Sequence, residues 1–309
     1  MNLLEIANMT EDEARDYLEK LRWPNGPVCH NCEKQNVTRM QGKSHRKGLF
    51  QCNNPECRQQ FTVKCHSVLE SSKVSLRKWV MAFHLLCSSK KGFSALQLQR
   101  ELSLGSYRTA WFMLHRIRHA MATNSLDKPM EGIVEVDETY VGGKPRHEAG
   151  KLEPSKTGRG TKKQPVVALV QRDGNAISGP VERVNIESVR GAILEFIDRK
   201  AIVCTDDLHL YRNIPQDHRA VNHTRKEYAR KDHDGLLVHS NTVESYFALL
   251  KRGHYGVYHL MGKGHLHLYC GEYSFRWNHR KVSDSERRDA AYKQAPGKRL
   301  KYKTPAKSA

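Results

Sequence analysis

Asp137, Asp206 and Glu244 are carboxylates in settings that suit metal chemistry. Asp137 lies in Ile133-Val134-Glu135-Val136-Asp137-Glu138-Thr139-Tyr140-Val141. There Val134 and Val136 alternate with Glu135 and Asp137, the period of a half-buried strand with an acidic side. An edge strand with an exposed acidic face has the same pattern. Asp206 ends the continuous apolar run Ala201-Ile202-Val203-Cys204-Thr205, as a buried central strand would, and Asp207 follows it directly. Glu244 belongs to residues 241–253, where Val243, Tyr246, Phe247 and Leu250 recur at helical spacing and Gly253 marks the stop. Seven residues separate Glu244 from Lys251, which puts them about 20° apart around the helix axis. Asn241 shares that face, and with Glu244 it also forms an N-cap and N3 capping pair that needs no catalysis. Carboxylates on two strand ends and one helix could hold two divalent cations through oxygen, as in-line phosphoryl transfer at a phosphodiester requires.

A second ligand set is Cys29-x2-Cys32 and, nineteen residues later, Cys52-x4-Cys57. Two such knuckles brought together by a β-hairpin would offer four thiolates to one tetrahedral, structural Zn²⁺. Free thiols or disulfides are the alternatives. The second knuckle is wider than the commonest spacing, so His30, Cys65 and His66 are candidate substitute ligands. So small a ribbon would take most of its stability from the metal.

The chain of 309 residues, 38% hydrophobic, is long enough for two or three domains with a sizeable core. Its formal charge of +19 is spread along the sequence, and the polyanion that matches it is nucleic acid. No stretch is apolar enough for a membrane span and no signal peptide opens the chain, so a cytoplasmic, DNA-associated protein is expected.

The positioning elements divide the chain into five segments. Residues 1–26 form a leading helix, with Thr10 and Glu13 as a capping box and Trp23-Pro24-Asn25-Gly26 as a turn. Residues 27–70 form the zinc ribbon, with Lys43, Arg46, Lys47, Arg58 and Lys64 available for phosphates or simply for solvent. Residues 71–124 are helical. The turn Ser103-Leu104-Gly105-Ser106 precedes a helix carrying Arg108, Arg116 and Arg118, a helix-turn-helix pattern that could read a major groove, although plain three-helix packing would look similar. His115 and His119 read as surface residues. After a polar linker, residues 130–280 give three strands, a helix, a strand and a late helix, the order of a ribonuclease-H-like mixed sheet. Its loop between Gly142 and Pro165 carries seven Lys or Arg against Glu148 and Glu153, and reads as a basic arm that orders on DNA or as a solvated insertion. Histidines 254, 259, 265 and 267 have no fixed ligand spacing and suit phosphate or structural contacts. Residues 281–309 mix charges with Pro and Gly and read as a basic disordered tail.

The four-cysteine ribbon, Val136-Asp137-Glu138-Thr139-Tyr140-Val141-Gly142-Gly143-Lys144, Thr205-Asp206, His239-Ser240-Asn241-Thr242-Val243-Glu244 and Leu250-Lys251-Arg252-Gly253 together resemble a bacterial insertion-sequence transposase. The similarity is to the small-element group whose acidic triad ends in Asn or Glu plus a lysine. It runs from about residue 20 to Arg280, through Phe275-Arg276-Trp277-Asn278-His279-Arg280. The resemblance implies a DDE recombinase that binds element ends, frees a 3′-hydroxyl and joins it to target DNA, working as a homodimer or larger assembly. Asp137 and Asp206 would hold Mg²⁺ or Mn²⁺, Glu244 or Asn241 would complete the site, and Lys251, with Arg252 beside it, would contact DNA phosphates. Glu244 is the preferred third ligand because it carries charge and aligns with Lys251. Asp207 is a substitute if the strand end is offset by one. Two other classes fit parts of the pattern: a non-catalytic DNA-binding regulator, and a metal-dependent nuclease that never joins.

Overall fold

Two stretches far apart in the chain, residues 1–121 and 282–309, form one folding unit, and residues 122–281 form the other. The computed structural model describes residues 1–122, 128–143, 161–206, 209–211, 214–222 and 225–302. Most of the expected basic arm, with Lys144, lies outside the described residues, as do Asp207 and the last seven positions.

The first unit opens with α1 (Leu3–Asn8) and α2 (Glu11–Arg22), each started by a capping box, Asn2 with Glu5 and Thr10 with Glu13. A three-stranded antiparallel ribbon follows, β1 (Val37–Arg39), β2 (Phe50–Cys52) and β3 (Gln60–Phe61), in the order β1-β2-β3. Trp23 lies edge-on to Phe50 and Phe61, at 5.5 and 5.8 Å between ring centroids. Then come α3 (Leu76–Ser88), α4 (Ala95–Glu101) and α5 (Tyr107–Met121). Glu11 of α2 accepts from the amides of Leu76 (2.7 Å) and Arg77 (3.2 Å), so a carboxylate from a distant helix neutralises the start of α3.

Two sequence expectations fail in this unit. Only the first turns of α5 reach the surface. Arg116 is 7% exposed, and Arg118 and His115 are each 1% exposed, because Met113, Leu114 and Ile117 also face inward and the helix is enclosed on nearly all sides. The sequence 281–309 is not disordered throughout: α9 (Asp284–Lys293) has a Ser283/Glu286 capping box and packs on α3. Its charges are spent internally. Arg288, buried, donates to Asp289 (2.8 Å), Tyr17 (2.5 Å) and the Met1 carbonyl (3.0 Å).

The second unit is built on a five-stranded sheet. In chain order its strands are β4 (Ile133–Val141), β5 (Gln164–Gln171), β6 (Ala176–Pro180), β7 (Ile202–Asp206) and β8 (Asp217–Val221), and in space they run β6-β5-β4-β7-β8. β4, β5 and β6 are antiparallel neighbours, whereas β7 and β8 run parallel to β4. A crossover through α6 (Ile186–Phe196) makes the switch. This is the five-stranded ribonuclease-H-like order, followed by a hairpin of β9 (Ala229–Lys231) and β10 (Leu237–His239).

Helices cover both faces of this sheet. Val134, Val136, Val167 and Leu169 pack against Val189 and Ile193 of α6. Val166, Ala168 and Val170 pack on the opposite face against α7 (Asn241–Gly253) and α8 (Leu266–Asn278). The acidic side of β4 is therefore not a solvent face: Glu135 is 0% exposed. The closing motif is structural. Asn278 brackets the Ala176 backbone with bonds of 2.7 and 3.1 Å, and Arg276 pairs with buried Glu272 at 2.6 Å. Among the described residues no helix is long and apolar enough to cross a membrane.

Candidate functional site

The acidic site is assembled from strand register. Glu135 of β4 pairs with Cys204 of the parallel β7, so two residues further on Asp137 and Asp206 stand at matching positions on adjacent strands. Both occupy the side of the sheet on which α7 lies. Glu244 reaches the same place from the first turn of α7. Burial pushes the Asp137 carboxyl up to about 8, and the nearby charges of Glu138, Asp206 and Glu244 push the same way against the Glu138 amide that donates to Asp137 Oδ1 at 2.7 Å. A buried carboxylate and the two that converge on it, Asp206 and the exposed Glu244, repel each other. An oxygen-seeking divalent cation is the partner such a donor set fits.

What holds α7 against β4 is Glu135, to which the sequence reading gave no role. Its buried carboxylate accepts from the amides of Thr242 (2.7 Å) and Val243 (3.0 Å) and from the Thr242 hydroxyl (2.9 Å). These amides are the second and third of the helix, the ones a local N-cap would satisfy. The expected Asn241/Glu244 capping pair does not form. Ser240 holds the N-cap position without a side-chain cap bond, its hydroxyl donates to Glu244 Oε1 (3.1 Å), and Asn241 is the first helical residue. Arg172 completes the junction, donating to Glu135 Oε1 (2.7 Å) and to the carbonyls of Leu237 (2.7 Å) and His239 (3.1 Å), just before the helix. Glu138, on the α6 side of β4, accepts from the buried Tyr211 hydroxyl at 2.7 Å.

Lys251 and Arg252 are exposed on α7, as are Asn241 and Glu244. Glu244 and Lys251 stand two turns apart, about 10 Å along the axis. Arg108 is exposed in the first turn of α5, whereas Arg116 and Arg118 are too deeply buried to meet a groove.

The cysteine site is tighter. The sulfurs of Cys29, Cys32, Cys52 and Cys57 all lie within 4.8 Å of one another, with Cys29–Cys57 at 3.7 Å and Cys32–Cys52 at 3.5 Å. Zn–S bonds of about 2.3 Å arranged tetrahedrally place sulfurs about 3.8 Å apart. Disulfides would need about 2.05 Å. The Asn31 side-chain amide (3.3 Å from Sγ) and the Gln59 backbone lower the Cys57 thiol to about 7, favouring the thiolate that binds metal. His30, Cys65 and His66 are not among the four: the two imidazoles stack on each other at 5.7 Å, and Cys65 accepts from the Thr62 amide at 3.4 Å.

Only Asp206 ends its strand; Asp137 lies in the middle of β4, whose ladder with β5 continues to Val141. A four-cysteine ribbon joined to a ribonuclease-H-like sheet with carboxylates side by side on adjacent parallel strands defines a DDE-type, DNA-processing class. Residues 129–278 match the ISXO2-like transposase domain, and residues 9–60 match a transposase zinc-ribbon domain. An uncharacterized protein in transposable element ISH50 of Halobacterium salinarum (strain ATCC 700922 / JCM 11081 / NRC-1) is 30% identical over 260 residues, 79% of this chain and 83% of that protein. The chain belongs to the insertion-sequence transposases that carry an N-terminal zinc ribbon and a DDE domain.

Proposed function

We propose that this transposase cleaves the ends of its own element to free 3′-hydroxyls and joins them to target DNA, with Asp137, Asp206 and Glu244 as the catalytic carboxylates. The observation that supports the reading is the β4–β7 register, which sets Asp137 beside Asp206, with Glu244 of α7 near enough to help raise the Asp137 carboxyl. Mg²⁺ or Mn²⁺ held by these three side chains would activate the attacking oxygen and neutralise charge on the phosphate. Glu244 is favoured over Asn241 as the third group because it brings the charge an amide lacks. Lys251, on the same face of α7, would grip a phosphate beside the scissile bond, with Arg252 on the flanking backbone. Arg108 at the open end of α5 would meet the DNA groove. The ribbon would bind Zn²⁺ structurally and present the element end. Holding two ends together calls for at least two copies of the chain.

The test is to incubate the protein with DNA bearing its gene's flanking sequences and Mg²⁺ or Mn²⁺, beside Asp137→Ala, and to map every new end. Joined products that start at a fixed boundary and vanish in the variant are expected. Scattered nicks would replace the reading with a nuclease, and bound but uncut DNA with a regulator.

A further inference from the structure

In the first unit, residues 70–74, Trp79 of α3, α5 and residues 299–302 line an open cavity of about 500 Å³ that is separate from the cysteine and carboxylate clusters. That volume lies within the range of small-ligand sites and is far larger than a lone phosphate needs. Five cationic side chains line it against one carboxylate, Glu70. Aromatic rings are interleaved with them. Arg108 lies over the Tyr302 ring at 5.0 Å, Arg116 lies over Phe112 at 5.1 Å, and the rings of Phe112 and Tyr302 meet edge to face at 5.4 Å.

Arg116 is the residue that asks for a ligand. It is 7% exposed, its outer nitrogen donates to the Glu70 carbonyl, and its buried Nε has no hydrogen-bond partner among the described residues. A buried guanidinium left with an unused donor is costly unless something accepts from it. Glu70 does not do so through its side chain, which pairs with Arg299 at 3.2 Å. Burial and the neighbouring Arg299 both push the Arg116 pKa down, so positive charge is concentrated where solvent is scarce.

We propose that this cavity receives one unpaired nucleotide of a DNA strand, its base against Phe112 and Tyr302 and its phosphate against Arg108, Arg116 and Arg299. This rests on the reading of the chain as a protein that binds DNA ends. Aromatic rings offer a base a sequence-tolerant stacking surface, and guanidiniums suit the phosphate beside it. A base still stacked in a duplex cannot enter a concave site of this kind, so the ligand is a nucleotide at an overhang, a flap or an opened end.

The test uses the full-length protein, fluorescence anisotropy, and two DNAs of the same end sequence, one blunt and one with a short single-stranded overhang carrying 2-aminopurine. The overhang DNA is expected to bind about 5- to 100-fold more tightly than the blunt one, with the 2-aminopurine quenched on binding. Tyr302→Ala should abolish both the preference and the quenching while leaving blunt-DNA affinity within about twofold. Tyr302 is 46% exposed, so this variant keeps the fold. Phe112→Ala, checked by circular dichroism and zinc content, should do the same. Equal binding of the two DNAs by the wild type, or a preference that survives both substitutions, would overturn the proposal, as would quenching by free nucleoside monophosphate without any overhang preference. Failure to bind either DNA would sink the DNA-binding reading and this proposal with it.

Discussion

The four thiols and the three carboxylates are both candidate ligand sets, and they are assembled by opposite routes. The thiols come from two local knuckles on a ribbon with very little else to hold it. Its buried core is Cys29, Phe50, Cys52 and Phe61, so two of the four buried residues are themselves candidate ligands. The carboxylates come from positions far apart in sequence, and each rests on a strand or helix of a sheet packed on both faces. At the ribbon a metal would make the fold; at the acidic site the fold has already gathered the carboxylates, against their mutual repulsion.

The largest effect expected from this contrast is at the ribbon. Cys29→Ser removes a ligand whose metal, in comparable zinc modules, supplies about 10–16 kcal/mol of apparent binding free energy. Zinc content should fall below one per chain, β1 and β2 amides should exchange at the unfolded rate, and end recognition should be lost while β4 and β5 stay protected. Retained zinc with normal end binding would remove the assignment.

Asp137→Asn should do the reverse, destroying function while strengthening the fold. Strand-cleavage products are expected to fall on the order of 10³-fold or more. With chelator present, the second unit should be more stable than wild type above neutral pH. The sign follows from the raised carboxyl, which titrates near about 8 in the fold against an ordinary value of 3.8. The folded state binds the extra proton between those values, so the wild type loses stability as pH rises from about 4 to about 8. At about 1.4 kcal/mol per unit, up to about 6 kcal/mol is involved. Native-state hydrogen exchange of β4 across that range measures it, and a pH-independent difference between the proteins would contradict the account.

A smaller, discriminating effect separates the two candidates on α7. Glu244→Gln should reduce cleavage on the order of 10²-fold or more, because it removes a charged ligand. Asn241→Ala should cost less than about tenfold, since no charge is lost. The opposite ranking, measured by cleavage at saturating Mg²⁺, would hand the third position to Asn241.

Chemistry set by local spacing was legible before any fold was known. The Cys29-x2-Cys32 and Cys52-x4-Cys57 knuckles, Asp206 at a strand end and the helix carrying Glu244 all follow from patterns a few residues long, whereas Asp137, expected at a strand end, lies in the middle of β4. What escaped was decided by distant packing. Period-2 alternation says that Glu135 faces away from Val134 and Val136, but it cannot say that α7, more than a hundred residues later, covers that side. Arg116 and Arg118 look like a basic face because their charge is visible and the elements that bury them are not. The charged, Pro- and Gly-bearing end hid α9 for the same reason: Arg288 is paired with Tyr17 and Asp289 inside the unit.

Glu135 is where the two assembly routes can be told apart most finely, since it binds nothing in the reaction yet sets the helix that carries Glu244. Glu135→Gln keeps the shape but places an amide against the Thr242 and Val243 N–H groups and leaves Arg172 without its anion. The loss in stability should be about 2–4 kcal/mol, as for breaking one side of a buried charge network. Well below the melting temperature a second effect should remain. With the start of α7 released, Glu244 is no longer held opposite Asp137, so cleavage should need more Mg²⁺ for half-saturation and fall about 10- to 100-fold. Glu135→Asp, which restores the charge on a shorter arm, should recover part of both. A Glu135→Gln protein that melts early but keeps the wild-type Mg²⁺ requirement would show that Glu135 merely stabilises the unit, and that Glu244 finds its place from the packing of Val243, Tyr246 and Phe247 alone.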